Sequence, residues 1–182
     1  DINYSIYHGQ KYLQGYFMDY YEPARITTQD VHRNRGIDDH LPLIYFPIEY
    51  IKRNYFALKD TFEQLFKNNI GVNDLHYLNV IFTEQDIVLI DVDNYYKINP
   101  LKKLIGKAKV YNVNTFFFET MHEEVSLYMN GEIDLFDFVY FMESIDKDFI
   151  DKIDGYANLH DFLVDNVKGK NWYNDRNRLL KK

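Results

Sequence analysis

The sequence predicts an α+β fold that is mainly helical. Three observations carry this: β-rich stretches stand first, apolar residues then recur at spacings of three and four over 47–68, and the second half is built from helical segments opened by Asn or Asp. At 182 residues the chain fits one domain, or a domain with a small appendage.

Residues 2–7 and 11–18 flank "HGQ" and predict a hairpin, closed off by Pro23. Residues 24–46 are polar and irregular, with room for a short helix. The stretch from Pro47 predicts a long helix, since Ile48, Ile51, Tyr55, Leu58, Phe62 and Leu65 line one face. Pro47 suits its first turn and Gly71 lies just past its end. Residues 79–83 and 87–91 read as two short strands around "EQD". A three-residue turn centred on Gln85 would pair positions summing to 170 and set Asn79 opposite Asp91. "NTFFFETMHEEVSLYMNG" then predicts a helix stopped at Asn130–Gly131, with its phenylalanines in the core. Asp134, with Asp137 three residues on, caps "LFDFVYFMESI" in a box-like start, and Asn158 caps "LHDFLVDNV".

Composition excludes several classes. Lys+Arg 21 against Asp+Glu 28 gives −7, which argues against nucleic acid as a partner. Without cysteine there are no disulfides or thiolate metal sites, which fits a cytoplasmic protein. No apolar run approaches the roughly 20 residues that cross a bilayer, so no membrane partner is expected. The start, "DINYSIYHGQ", reads as that of a fragment or a processed form.

The chemistry gathers at the ends of the short hairpin, where Asp74, Asn79 and Asp91 stand against an apolar run. Taken singly, these are a turn or cap residue, a turn residue and a strand-end acid. Together they suit divalent-metal phosphate chemistry. Mg²⁺ prefers oxygen ligands and keeps several waters, so one carboxylate and one amide oxygen beside nucleotide phosphates are enough. The second carboxylate can orient or deprotonate an attacking hydroxyl.

With "VNDLHYLN" followed by "VLIDVDN", the chain resembles the protein-kinase-like superfamily, above all its aminoglycoside-phosphotransferase-like and other atypical branches. Their catalytic loop reads like H-x-D-L-H-x-x-N and precedes a strand pair and a metal-binding Asp. The resemblance implies that Asp74 is the catalytic base, that Asn79 and Asp91 bind Mg²⁺, and that His76 has a structural role near the site. It implies that "GYFMDYY" is a hinge whose backbone meets the adenine of ATP at Met18, Asp19 and Tyr20. Residues 1–23 would then be a remnant of N-lobe strands and hinge, and 24–182 a kinase-like C-terminal lobe holding a catalytic-loop β-hairpin.

The departures bear on activity. Val72 stands where the family has His, and Val92-Asp93 replaces Phe-Gly. No Ala-Pro-Glu follows, and the Gly-rich loop, the phosphate-pairing Lys and its Glu partner do not occur in this sequence. The expected function is ATP- and Mg²⁺-dependent transfer of the γ-phosphate to an unnamed hydroxyl acceptor. The alternative is a catalytically inactive pseudokinase-like module that binds a protein partner. An N-terminal hairpin without its sheet is expected to lie on the helical lobe or pair with another copy, giving a homo-oligomer.

Other candidates are weaker. "DKDFIDKIDG" places Ile150 and Asp151 where an EF-hand needs Asp or Asn and then Gly, so it reads as a solvated helix end. His122-Glu123 lacks the H-E-x-x-H spacing. Lys97, Lys102, Lys103, Lys107 and Lys109 form a basic run, read first as a solvated segment and otherwise as an attractor of an anionic substrate or partner.

Overall fold

The computed structural model describes residues 3–7, 10–14, 24, 41–90 and 92–179. It is mainly helical, with three two-stranded antiparallel sheets among the described residues. Strands β1 (Asn3–Tyr7) and β2 (Gln10–Gln14) form the expected hairpin, in a register pairing Tyr7 with Gln10.

Helix α1 (Ile48–Lys67) is the spine of the remaining structure. Its face of Ile48, Ile51, Leu58 and Phe62 is buried, with Tyr55 and Leu65 half-buried against the same core. Pro47 caps its start, where the missing N–H has no partner to lose. The helix ends earlier than Gly71 suggested. Asn69 adopts a left-handed backbone (φ 62°), which Asn tolerates better than most residues, and turns the chain out. Gly71 lies instead in β3 (Ile70–Gly71), which pairs with β6 (Tyr96–Lys97). There the Tyr96 ring covers the glycine so closely that a Cβ would stand 2.2 Å from Cζ of the ring.

Between these strands lies the hairpin β4 (Val80–Phe82) and β5 (Ile87–Leu89). The short helix α2 (Pro100–Leu104) follows β6, capped by the Asn99 side chain. Helix α3 (Val113–Tyr128) buries Phe116, Phe117, Met121 and Val125, so the phenylalanine run is core. Gly131 (φ 83°) follows, and Asp134 caps α4 (Leu135–Ile145) by accepting from the N–H groups of Phe136 and Asp137. The box itself does not close, because Asp137 Oδ1 accepts from the Tyr173 N–H at 2.8 Å and so anchors α7 (Trp172–Leu179). Helix α5 (Phe149–Lys152) buries Phe149 while its flanking acids stay exposed. Helix α6 (Leu159–Asn166) is capped by Asn158 as expected.

One acid lies inside this core. Glu124 is fully buried, its two oxygens accepting from the backbone N–H groups of Leu43 (2.8 Å) and Ile44 (2.9 Å), which open a 3-10 turn over 43–45. The segment before α1 is thereby tied to α3. Among the described residues, no helix is long and apolar enough to cross a membrane.

Candidate functional site

The loop after β3 carries Asp74 on a left-handed backbone (φ 56°). Leu75 is buried beside it and pins the loop, with the Tyr111 hydroxyl donating to its carbonyl at 3.5 Å. A 3-10 turn over Tyr77–Asn79 follows, opened by His76. His76 Nδ1 accepts from the Leu78 N–H at 3.3 Å. Nε2 stands 3.8 Å from Asp74 Oδ1, a contact rather than a hydrogen bond. The other oxygen, Oδ2, accepts from Asn94 Nδ2 at 2.9 Å. One carboxylate is thus held between an imidazole and an amide while its side chain stays half exposed.

Asn79 is buried, and its Nδ2 donates to the backbone carbonyl of Asp74 at 2.7 Å. This bond closes the loop between the two residues and fixes the plane of the amide. Its Oδ1 accepts no hydrogen bond from the described residues. The structure therefore brings Asp74, His76 and Asn79 together in one loop.

The hairpin register differs from the expected one. Val80 pairs with Leu89, Ile81 with Val88 and Phe82 with Ile87, so paired numbers sum to 169. The Thr83 N–H donates to the Asp86 carbonyl at 2.9 Å, closing a two-residue turn where three residues were expected. Thr83 Oγ1 reinforces it by accepting from the N–H groups of Gln85 and Asp86. Ile90, not Asp91, consequently stands across from Asn79, its N–H donating to the Asn79 carbonyl at 3.0 Å. Asp91 and the hinge residues Met18, Asp19 and Tyr20 lie outside the described residues. Among the described residues, no group of three or more His, Asp or Glu side chains is placed to hold a metal ion.

Three residues belong to the neighbourhood that sequence reasoning did not select. Asn94 is the partner of Asp74; its nearness to Asp91 in "DVDN" was the available signal. Glu123 of α3 lies within electrostatic reach of His76; burial pushes its carboxyl up while His76 and His122 pull it back down. Its Oε2 is buried and has no hydrogen-bond partner among the described residues. Asn54 of α1 holds the far end of the hairpin. Its Oδ1 accepts from the Ile87 N–H (2.8 Å), and its Nδ2 donates to the carbonyls of Tyr50 (3.0 Å) and Gln85 (3.3 Å). A polar residue three after Ile51 and four before Leu58, on a buried face, was its signal. Comparison with family models, with curated proteins and with solved structures gave no match.

Proposed function

We propose that the chain is the hinge and C-terminal lobe of a kinase-like phosphotransferase, which moves the γ-phosphate of ATP to a hydroxyl acceptor once an N-terminal lobe is supplied. The observation that carries this is the bond from Asn79 Nδ2 to the Asp74 carbonyl, which leaves Asn79 Oδ1 available to a cation beside a fixed carboxylate. Asn79 and Asp91 would hold Mg²⁺, which when bound neutralises charge on the phosphate oxygens. Asp74 would orient the acceptor hydroxyl and take its proton, with Asn94 and His76 keeping the carboxylate in place. Positioning supplies most of the acceleration in such transfers, so a rigid loop is the main requirement.

A second reading, a pseudokinase-like interaction module, is favoured by Val92. It stands where the family has the Phe of D-F-G, and it is 50% exposed instead of packed inward.

Thermal unfolding with Mg²⁺·ATP separates the two. A working site stabilises the fold by about 1.4 kcal/mol at tenfold excess over Kd, more than ATP with chelator does. Asp91→Asn abolishes the magnesium-dependent part. A wild-type melting curve unmoved at millimolar Mg²⁺·ATP rules out the phosphotransferase site in this chain and leaves the interaction module.

A further inference from the structure

Helix α2 and the turn after it present an unusual surface. Leu101, Leu104 and Ile105 fall at i, i+3 and i+4, on one side of the helix, and are 63%, 83% and 54% exposed. A leucine that exposed protrudes from the surface instead of lining a groove. Around it the chain reverses its charge: residues 97–109 hold five lysines and no acid, although the whole chain carries −7. Lys97, Lys102, Lys107 and Lys109 are exposed and form no ion pair with any described residue.

The orientation of this face is fixed from behind. Lys103 points the other way, its Nζ donating to the carbonyls of Phe66 (2.7 Å) and Lys67 (3.0 Å) and to Asn69 Oδ1 (3.2 Å). It satisfies carbonyls that α1 leaves unpaired at its C-terminus and sits over the Phe66 ring. The helix then ends in a left-handed Gly106 (φ 70°), with the Lys107 N–H folded back onto the Lys102 carbonyl at 2.8 Å. That turn keeps Lys107 beside Lys102, at the edge of the apolar tip.

We propose that this face docks on an anionic lipid bilayer, with Leu101, Leu104 and Ile105 entering the headgroup boundary and Lys102, Lys107 and Lys109 meeting lipid phosphates and carboxylates. A protruding apolar tip with a basic rim matches a bilayer surface, which yields to it, better than a folded acidic partner, which would need a cleft of its own. The negative charge of the rest of the chain turns other faces away from the same surface. The expectation of no membrane partner rested on span length, and surface docking needs no span.

Vesicle sedimentation with the full chain tests this. Vesicles of phosphatidylcholine with a minority of phosphatidylserine are expected to retain the protein, and pure phosphatidylcholine vesicles are not. Wild-type retention falls as salt rises, a readout that needs no variant. Lys102→Glu/Lys107→Glu/Lys109→Glu weakens it on the order of 100-fold, about fivefold per lysine lost. Leu104→Asp weakens it roughly tenfold or more. All these side chains are exposed, so melting temperatures of the variants stay at the wild-type value. Equal binding to neutral and anionic vesicles, absence of binding, or anionic binding indifferent to Leu104→Asp overturns the proposal. So does retention of polyglutamate without vesicles, which assigns the face to an acidic polypeptide.

Discussion

The side-chain amide of Asn79 donates to the backbone carbonyl of Asp74 across 2.7 Å, five residues back along the chain. The bond shapes the loop that presents the Asp74 carboxylate and leaves the amide oxygen available. Asn79→Ala removes the donor and strands the carbonyl, with an expected loss of about 1–2 kcal/mol in urea unfolding. Asn79→Asp keeps an oxygen but not the donor. It loses similar stability while retaining magnesium-dependent stabilisation by ATP. A variant at full stability would show that the loop is shaped by something else.

Asp74 separates backbone from chemistry. Its φ of 56° suits Asn and Asp better than other non-glycine residues. Asp74→Ala should therefore be less stable than Asp74→Asn by about 1 kcal/mol. On the proposed division of roles, Asp74→Asn leaves Mg²⁺·ATP stabilisation intact, because the residue orients the acceptor rather than the nucleotide. A loss equal to that of Asp91→Asn in the same thermal assay would make Asp74 a metal ligand instead.

Asn54 clamps the hairpin end farthest from the site. Asn54→Ala leaves the buried Ile87 N–H without its 2.8 Å acceptor and removes one of two side-chain donors to the Gln85 carbonyl. Arg53 also donates to that carbonyl, so one tie remains. The expected cost is about 2–3 kcal/mol, with amide exchange in residues 80–89 accelerating before the helices open. Exchange that rises uniformly over the chain would refute a local clamp.

What the sequence disclosed and what it hid divide by distance along the chain. Asp134 and Asn158 cap their helices through N–H groups two or three residues away, and the stripe on α1 repeats every turn, so both are local patterns. Asn94 reaches Asp74 from 20 residues away and Asn54 reaches Ile87 from 33, and only tertiary packing sets such pairings. The hairpin register failed for a subtler reason. Asp86 pairs with Thr83 instead of standing in the turn, which shortens the turn by one residue, and a slip of one moves every partner. Asp74, His76 and Asn79 were readable together because they share one short loop.

Gly71 and Tyr96 make a pair whose effects change sign. Alanine at 71 drives its Cβ into the Tyr96 ring, yet that ring is 54% exposed and can swing aside. Gly71→Ala alone should cost about 1 kcal/mol or less, through the lost ring contact. In a Tyr96→Ala background the same substitution should stabilise by about 0.4–1 kcal/mol, since the unfolded chain loses freedom and nothing clashes. A double-mutant cycle in urea checks this; strict additivity would mean that the ring does not rest on the glycine.

Glu124 should make stability fall as pH rises. Burial is the largest influence on its carboxyl and pushes it up to about 8, although the N–H groups of Leu43 and Ile44 pull the other way. In the unfolded chain the same group titrates near its ordinary 4.5. Between those values the folded state holds one more proton than the unfolded state. Its contribution is therefore complete below the unfolded value and is lost as pH climbs through the folded one, at roughly 1.4 kcal/mol per pH unit. Glu124→Gln keeps an oxygen for one of the two N–H donors but cannot titrate. It should lose about 1–2 kcal/mol at low pH, where Glu124 is protonated, and gain on wild type as pH approaches 8. Urea unfolding of both proteins across this range isolates the effect, because titrating groups not coupled to Glu124 cancel in the difference. If the difference stays flat with pH, the two N–H donors offset burial and Glu124 titrates alike in the folded and unfolded chain. A stability gain of wild type over Glu124→Gln as pH rises would reverse the sign and place its folded value below the unfolded one.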